Sequence, residues 1–161
     1  MTKQPFVDIF DAARKGTIAD VRYCVEEQGA DVNTDNGKCE GTPLHVAAGF
    51  NSVDVLEYLI SQGADVNAKS MCGCTPLHTA ALWNPNVDVV QYLISMGADV
   101  NATSKFGDTP LYQAVIALHD GVEVLQYLIS QGADVNAKRP LSVANTEERK
   151  RILREAMANN Q

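Results

Sequence analysis

The sequence predicts an all-α solenoid of three full repeats between two modified ends, and three observations carry that reading. The string Gly-Ala-Asp-Val-Asn starts at Gly29, Gly63, Gly97 and Gly132, at spacings of 34, 34 and 35 residues. The string Thr-Pro-Leu starts at Thr42, Thr75 and Thr109, at spacings of 33 and 34. Between them recurs an apolar segment: VDVLEYLISQ at 53–62, VDVVQYLISM at 87–96 and VEVLQYLISQ at 122–131. A fixed period of this length means stacked units, each burying its apolar face only against its neighbours.

Residues 67–101 show why one unit folds as it does. Pro76 suits a first helical turn, where its missing N–H costs nothing. Thr75, just before it, is an N-cap acceptor worth about 0.5–2 kcal/mol over Ala. Ala80 and Ala81 are small, so this short first helix can lie close to the next one. Trp83-Asn84-Pro85-Asn86 breaks the chain before a second helix, in which Val87, Val90, Leu93 and Ile94 form a stripe at helical spacing. Gly97 then ends that helix in the left-handed conformation. The stretch from Asp99 to Thr109, with Gly107 in it, reads as a hairpin-like finger. Each unit is finger, helix, turn, helix.

Residue spacings locate the irregularities. Thr42 to Asp54 is 12 residues, Thr75 to Asp88 is 13 and Thr109 to Glu123 is 14, so the inter-helix loop lengthens along the chain. Asn33 to Thr42 is 9, against 8 for Asn67 to Thr75 and for Asn101 to Thr109, so the first finger carries an extra residue. Loop insertions are thermodynamically tolerated, since each doubling of length costs only about 0.6 kcal/mol. They are either neutral or part of a binding surface.

The period, together with Thr-Pro-Leu-His at 42–45 and 75–78 followed by Ala-Ala, resembles the ankyrin-repeat family over nearly the whole chain. The implied organisation is one domain, 1–161: an N-terminal cap repeat at about 5–35, repeats at about 36–69, 70–103 and 104–138, and a C-terminal cap at 139–161. At the start, Ile9-Phe10-Asp11-Ala12-Ala13 matches the motif without its Thr-Pro, and a more polar second helix runs from Ile18 to Gln28. At the other end the last finger is deleted at Arg139-Pro140-Leu141. A final helix, roughly Thr146 to Ala158, sets Ile152, Leu153 and Ala156 against a charged face that includes Arg149. Such a helix seals the last repeat from water.

Charge and composition exclude several functions. The 161 residues carry 13 Lys+Arg against 20 Asp+Glu, a net charge of -7 and a pI near 4.8. Binding to nucleic acid or to an anionic membrane needs a basic face, so neither is expected. No apolar run reaches the length of a membrane span, and charged residues interrupt what would be the apolar core of a leader. A cytoplasmic monomer is the expectation, with Cys24, Cys39, Cys72 and Cys74 all reduced.

Candidate chemistry is sparse. His45 and His78 sit in Thr-Pro-Leu-His, where the family resemblance implies a hydrogen bond to the neighbouring repeat together with the Thr. Tyr112 takes that position in the fourth unit. His119 lies beside Asp120 in an inserted loop, and no nucleophile stands at a defined spacing from any His. Cys39, Cys72 and Cys74, on fingers that stack side by side, form an alternative site for a metal- or thiol-dependent activity, converging on a soft metal or an oxidised pair, although C-x-C with one further Cys lacks a fourth zinc ligand. Cys24 reads as core. Asp35-Asn36-Gly37 does not follow the calcium-loop spacing, and no phosphate-binding Gly string opens a helix. The reading is therefore a non-enzyme without cofactor or metal.

The resemblance further implies that fingers and first helices form a concave face that binds a partner protein. The positions that fall there are Arg14, Lys15, Phe50, Lys69, Met71, Thr79, Leu82, Trp83, Lys105, Phe106, Gln113 and Ile116. Aromatic side chains are enriched at binding hot spots, which singles out Phe50, Trp83 and Phe106. Trp83 has a second reading, in which it packs across the inserted loop and Pro85.

Overall fold

A computed structural model of the chain describes residues 8–138 and 140–159. The expected cap residues 5–7, 139 and 160–161 lie outside them. The chain runs as helix pairs: α1 (Ile9–Lys15) with α2 (Ile18–Arg22), α3 (Pro43–Phe50) with α4 (Val53–Ser61), α5 (Pro76–Trp83) with α6 (Val87–Ser95), and α7 (Pro110–Ile116) with α8 (Val122–Ser130). Helix α2 continues as a π-helical segment, Tyr23–Glu27. A short α9 (Pro140–Val143) and a long α10 (Glu147–Asn159) close the stack. Among the described residues there is no strand. The fingers are tight hairpin-like turns closed by main-chain bonds, such as Ser70 N to Cys74 O and Ser104 N to Asp108 O, both 2.9 Å.

First helices stack on first helices, α1 on α3 on α5 on α7, and second helices line the back. In α3 every residue from Pro43 to Gly49 is buried, because the helix is covered on both sides. Gly49 makes that approach possible: a Cβ there would sit 2.9 Å from the Thr79 methyl group. The second helices bury Leu56, Leu59, Leu93, Leu125 and Leu128 completely. In α6 the buried stripe is Val89, Val90 and Leu93, while Val87 and Ile94 are half-buried.

Three hydrogen-bond ladders join the units. In the first, Asn33 donates to Gly63 O (2.9 Å) and accepts from Asp65 N–H (2.9 Å). Asn67 repeats this with Gly97 and Asp99, and Asn101 with Gly132 and Asp134. In the second, Asn51 donates to Ala13 O and Gly16 O, and Asn84 donates to Ala48 O and Asn51 O, so each satisfies open carbonyls at the end of the preceding first helix. Arg149 of α10 does the same for α7. Its guanidinium donates to Val115 O (3.3 Å), Ala117 O (2.8 Å) and His119 O (2.6 Å). Arg149 is 2% exposed and so leaves the charged face of α10 that the sequence assigned it. A cation at a helix C-terminus is also favoured by the helix dipole.

The third ladder uses the two motif histidines. Nδ1 of His45 receives the Thr42 N–H at 3.1 Å and lies 2.9 Å from the Thr42 hydroxyl. Its other ring nitrogen, Nε2, must then carry the proton, which it donates to Cys74 O at 2.9 Å in the next finger. His78 repeats the arrangement with Thr75 and Asp108 O. Only the neutral ring can make both bonds, and burial lowers both pKa values from the ordinary 6.5. The unfolded chain therefore binds protons that the folded chain refuses. The stability is complete above pH 6.5 and is lost as the pH falls through that value toward the folded-state pKa. Urea midpoints should accordingly drop between about pH 7 and 5, before carboxylates titrate. A His45→Gln/His78→Gln variant should show a flatter profile. An equally steep profile in the variant would contradict the assignment.

Candidate protein-binding groove

Along the fingers and first helices runs a groove of ≈ 590 Å³. Its floor is built from the exposed ends of α1, α3 and α5, which place one long side chain per unit. Arg14, Phe50 and Trp83 follow one another along it. The Arg14 guanidinium lies 4.8 Å from the Phe50 ring centre, and the Phe50 and Trp83 rings stack 6.3 Å apart at 25°. Arg14 is held in place by Glu40 of the first finger at 2.7 Å. Val46, Thr79, Leu82 and Gln113 fill the floor between them, and Phe106 stands on the far finger. Phe50 is 48% exposed, Trp83 52% and Phe106 68%. Trp83 thus leans on Phe50 across the unit boundary and keeps half its surface open to water.

Of the twelve residues assigned to this face, Arg14, Phe50, Thr79, Leu82, Trp83, Phe106 and Gln113 line the groove. Lys15, Lys69, Met71, Lys105 and Ile116 do not. Met71 is 55% exposed at a finger. Lys138, beyond the expected set, donates to Phe106 O (2.9 Å), pairs with Asp108 and covers the Tyr112 ring at 4.8 Å. It braces the last finger where the His ladder stops. The groove also contains His78, Asp108, Lys38 and the three finger cysteines.

The cysteines correct one expectation. Cys39 and Cys72 form a disulfide, with Cα atoms 5.1 Å apart, so two of the four thiols expected to be free are paired. The physical reason is register: the pair is 33 residues apart, one repeat, and stacking sets equivalent finger positions side by side. Cys24 is fully buried in the core. Cys74 remains a thiol, half-buried, and burial followed by the nearby Asp108 carboxylate pushes its pKa up. Among the described residues no group of three or more His, Cys, Asp or Glu side chains is placed to hold a metal ion. His119 is kept toward its neutral form by burial and by Arg149, against the opposing pull of the Ala81 and Leu82 carbonyls and of Asp120. No helix among the described residues is long and apolar enough to cross a membrane.

Stacked helix pairs, projecting fingers and a groove on the first-helix side define a repeat scaffold with an open side-chain surface. The family model described as "Ankyrin repeats (many copies)" matches residues 9–60, 44–94 and 84–129, and the chain belongs to the ankyrin-repeat family. It is 46% identical over 72 residues to alpha-latrocrustotoxin-Lt1a of Latrodectus tredecimguttatus, covering 45% of this chain and 5% of that protein. It is 44% identical over 68 residues to protein phosphatase 1 regulatory subunit 12A of Mus musculus, covering 42% and 5%. Ankyrin repeat domain-containing protein 53 of Macaca fascicularis is 38% identical over 81 residues, covering 47% and 16%. The matches thus span 16% or less of each of these relatives. Repeats of this family are generally protein–protein interaction modules without catalysis.

Proposed function

We propose that this chain is a non-catalytic adaptor module, monomeric and cytoplasmic, whose groove takes a segment of a partner protein. The observation that carries the reading is the Arg14–Phe50–Trp83 row. Three side chains of the kind enriched at interfaces order one another, with about half of each aromatic ring left open to solvent and the guanidinium partly so. A half-exposed stacked pair has already lost much of its rotamer freedom, which lowers the cost of binding. About half of each ring is left out of the packing between units, so truncating them should affect binding more than folding.

The test is the triple variant Phe50→Ala/Trp83→Ala/Phe106→Ala. Its melting temperature should move only modestly, while each lost anchor weakens binding by about 2 kcal/mol or more. Partners captured from a lysate by the wild type should be lost by the variant. Equal capture at equal affinity would remove the groove as the site and turn attention to the inserted loops near Asn84 and His119.

A further inference from the structure

The finger joints are not all built alike. The finger at 70–74 is tied to the finger at 104–108 by a main-chain bond, Lys105 N–H to Cys72 O at 3.0 Å. Among the described residues no corresponding main-chain bond ties the finger at 36–41 to the one at 70–74. The 36–41 finger is the one with the extra residue. At that joint stands the Cys39–Cys72 bond. Cys39 is exposed and Cys72 half-buried, so the bond is open to small solutes. Deeper in the same joint, His45 to Cys74 O and Asn33 to Asp65 N–H hold the units together without it.

We infer that Cys39 and Cys72 are a reversible thiol–disulfide site, exchanging with low-molecular-weight thiols and disulfides, that locks and releases the first finger tip on the groove wall. Exposed disulfides are the readily reduced ones, and in a reducing compartment a pair of this kind cycles. Oxidation runs in two balanced steps. The Cys39 thiolate attacks a small disulfide, forms a mixed disulfide and releases one thiol. The Cys72 thiolate then attacks the Cys39 sulfur, forms the Cys39–Cys72 bond and releases the second thiol. Two electrons pass to the small disulfide and the two cysteine protons end on the released thiols. Cys74, on the same wall, is the competing nucleophile. Its main chain is fixed by His45, and burial holds its thiol in the protonated form, so it stays out of the exchange. The lock acts on the groove because Lys38 and Glu40, which flank Cys39, line it, and Glu40 is the residue that pairs with Arg14.

The test uses the full chain equilibrated in mixtures of reduced and oxidised glutathione, quenched with N-ethylmaleimide and mapped by peptide mass. Cys39 and Cys72 should lose labelling together in one two-electron transition while Cys74 stays labelled. Cys74→Ser should leave that transition in place, and Cys39→Ser should abolish it. Oxidation should raise the wild-type melting temperature by roughly 5–10 °C and slow tryptic cleavage after Lys38, whereas Cys39→Ser should melt identically in both buffers. Pairing of Cys39 with Cys74, a stable glutathione adduct on Cys39, a bond between two chains, or a bond that no glutathione mixture opens would each overturn the inference. None of these readouts involves a partner protein, so the groove's binding role stands or falls separately.

Discussion

Truncating Leu59, Leu93 and Leu128 together to Ala is expected to leave the chain without a cooperative fold. Each is fully buried, one per second helix in α4, α6 and α8. A buried Leu→Ala change costs about 2–5 kcal/mol through lost transfer energy and the cavity left behind. Three such losses total roughly 6–15 kcal/mol, against the ~5–15 kcal/mol that holds a typical domain together. A solenoid gives little relief, since each unit is buttressed only by its neighbours and the substitutions strike three consecutive units. Far-UV circular dichroism with a urea titration would read the outcome. A cooperative transition with a near wild-type midpoint would show that the second helices are not the core.

Almost as large an effect is expected from Ile152→Asp with Leu153→Asp. Leu153 is fully buried and Ile152 is 8% exposed, and α10 packs on α8 and α9. Carboxylates at both positions cannot stay against an apolar surface unpaired, so α10 must leave. Its departure uncovers the apolar side of the fourth unit and also withdraws Arg149 from the carbonyls of Val115, Ala117 and His119. The variant should aggregate on size exclusion and melt well below the wild type. If it stays soluble with an unchanged melting temperature, α10 is not a cap.

Much of this architecture was legible because a repeat states its rules several times. Thr-Pro at a helix start, Ala-Ala at the close approach and Gly after the second helix each have a local physical cause that recurs at the period. The His ladder was implied by the family resemblance of Thr-Pro-Leu-His rather than by any local pattern. What escaped was set by neighbours that no local pattern reveals. Arg149 sits among Glu147, Glu148, Lys150 and Arg151, and nothing in that run says that the open carbonyls of α7 face it. Asn51 and Asn84 each follow the aromatic residue that ends a first helix, a recurring pair that would have marked the second ladder. The Cys39–Cys72 pair was half legible: stacked fingers bring three cysteines together and allow an oxidised pair, but only the one-repeat separation picks out which two. The groove divided only partly along that line. Phe50, Trp83 and Thr79 lie on helices, where spacing sets direction, and line it, whereas Lys69, Met71 and Lys105 lie on finger segments and do not. Phe106 lines it from a finger, and Lys15 and Ile116, the last residues of their helices, stay outside it.

Footprinting of the chain bound to its captured partner tests most directly whether the first-helix face is the binding surface. Oxidative labelling of exposed side chains reads each large residue separately. Phe50, Trp83 and Phe106 should lose labelling on binding, while Tyr23 and Met96, 41% and 42% exposed outside the groove, should keep theirs. Protection of Tyr23 and Met96 with the three groove aromatics labelled as in the free chain would contradict the account.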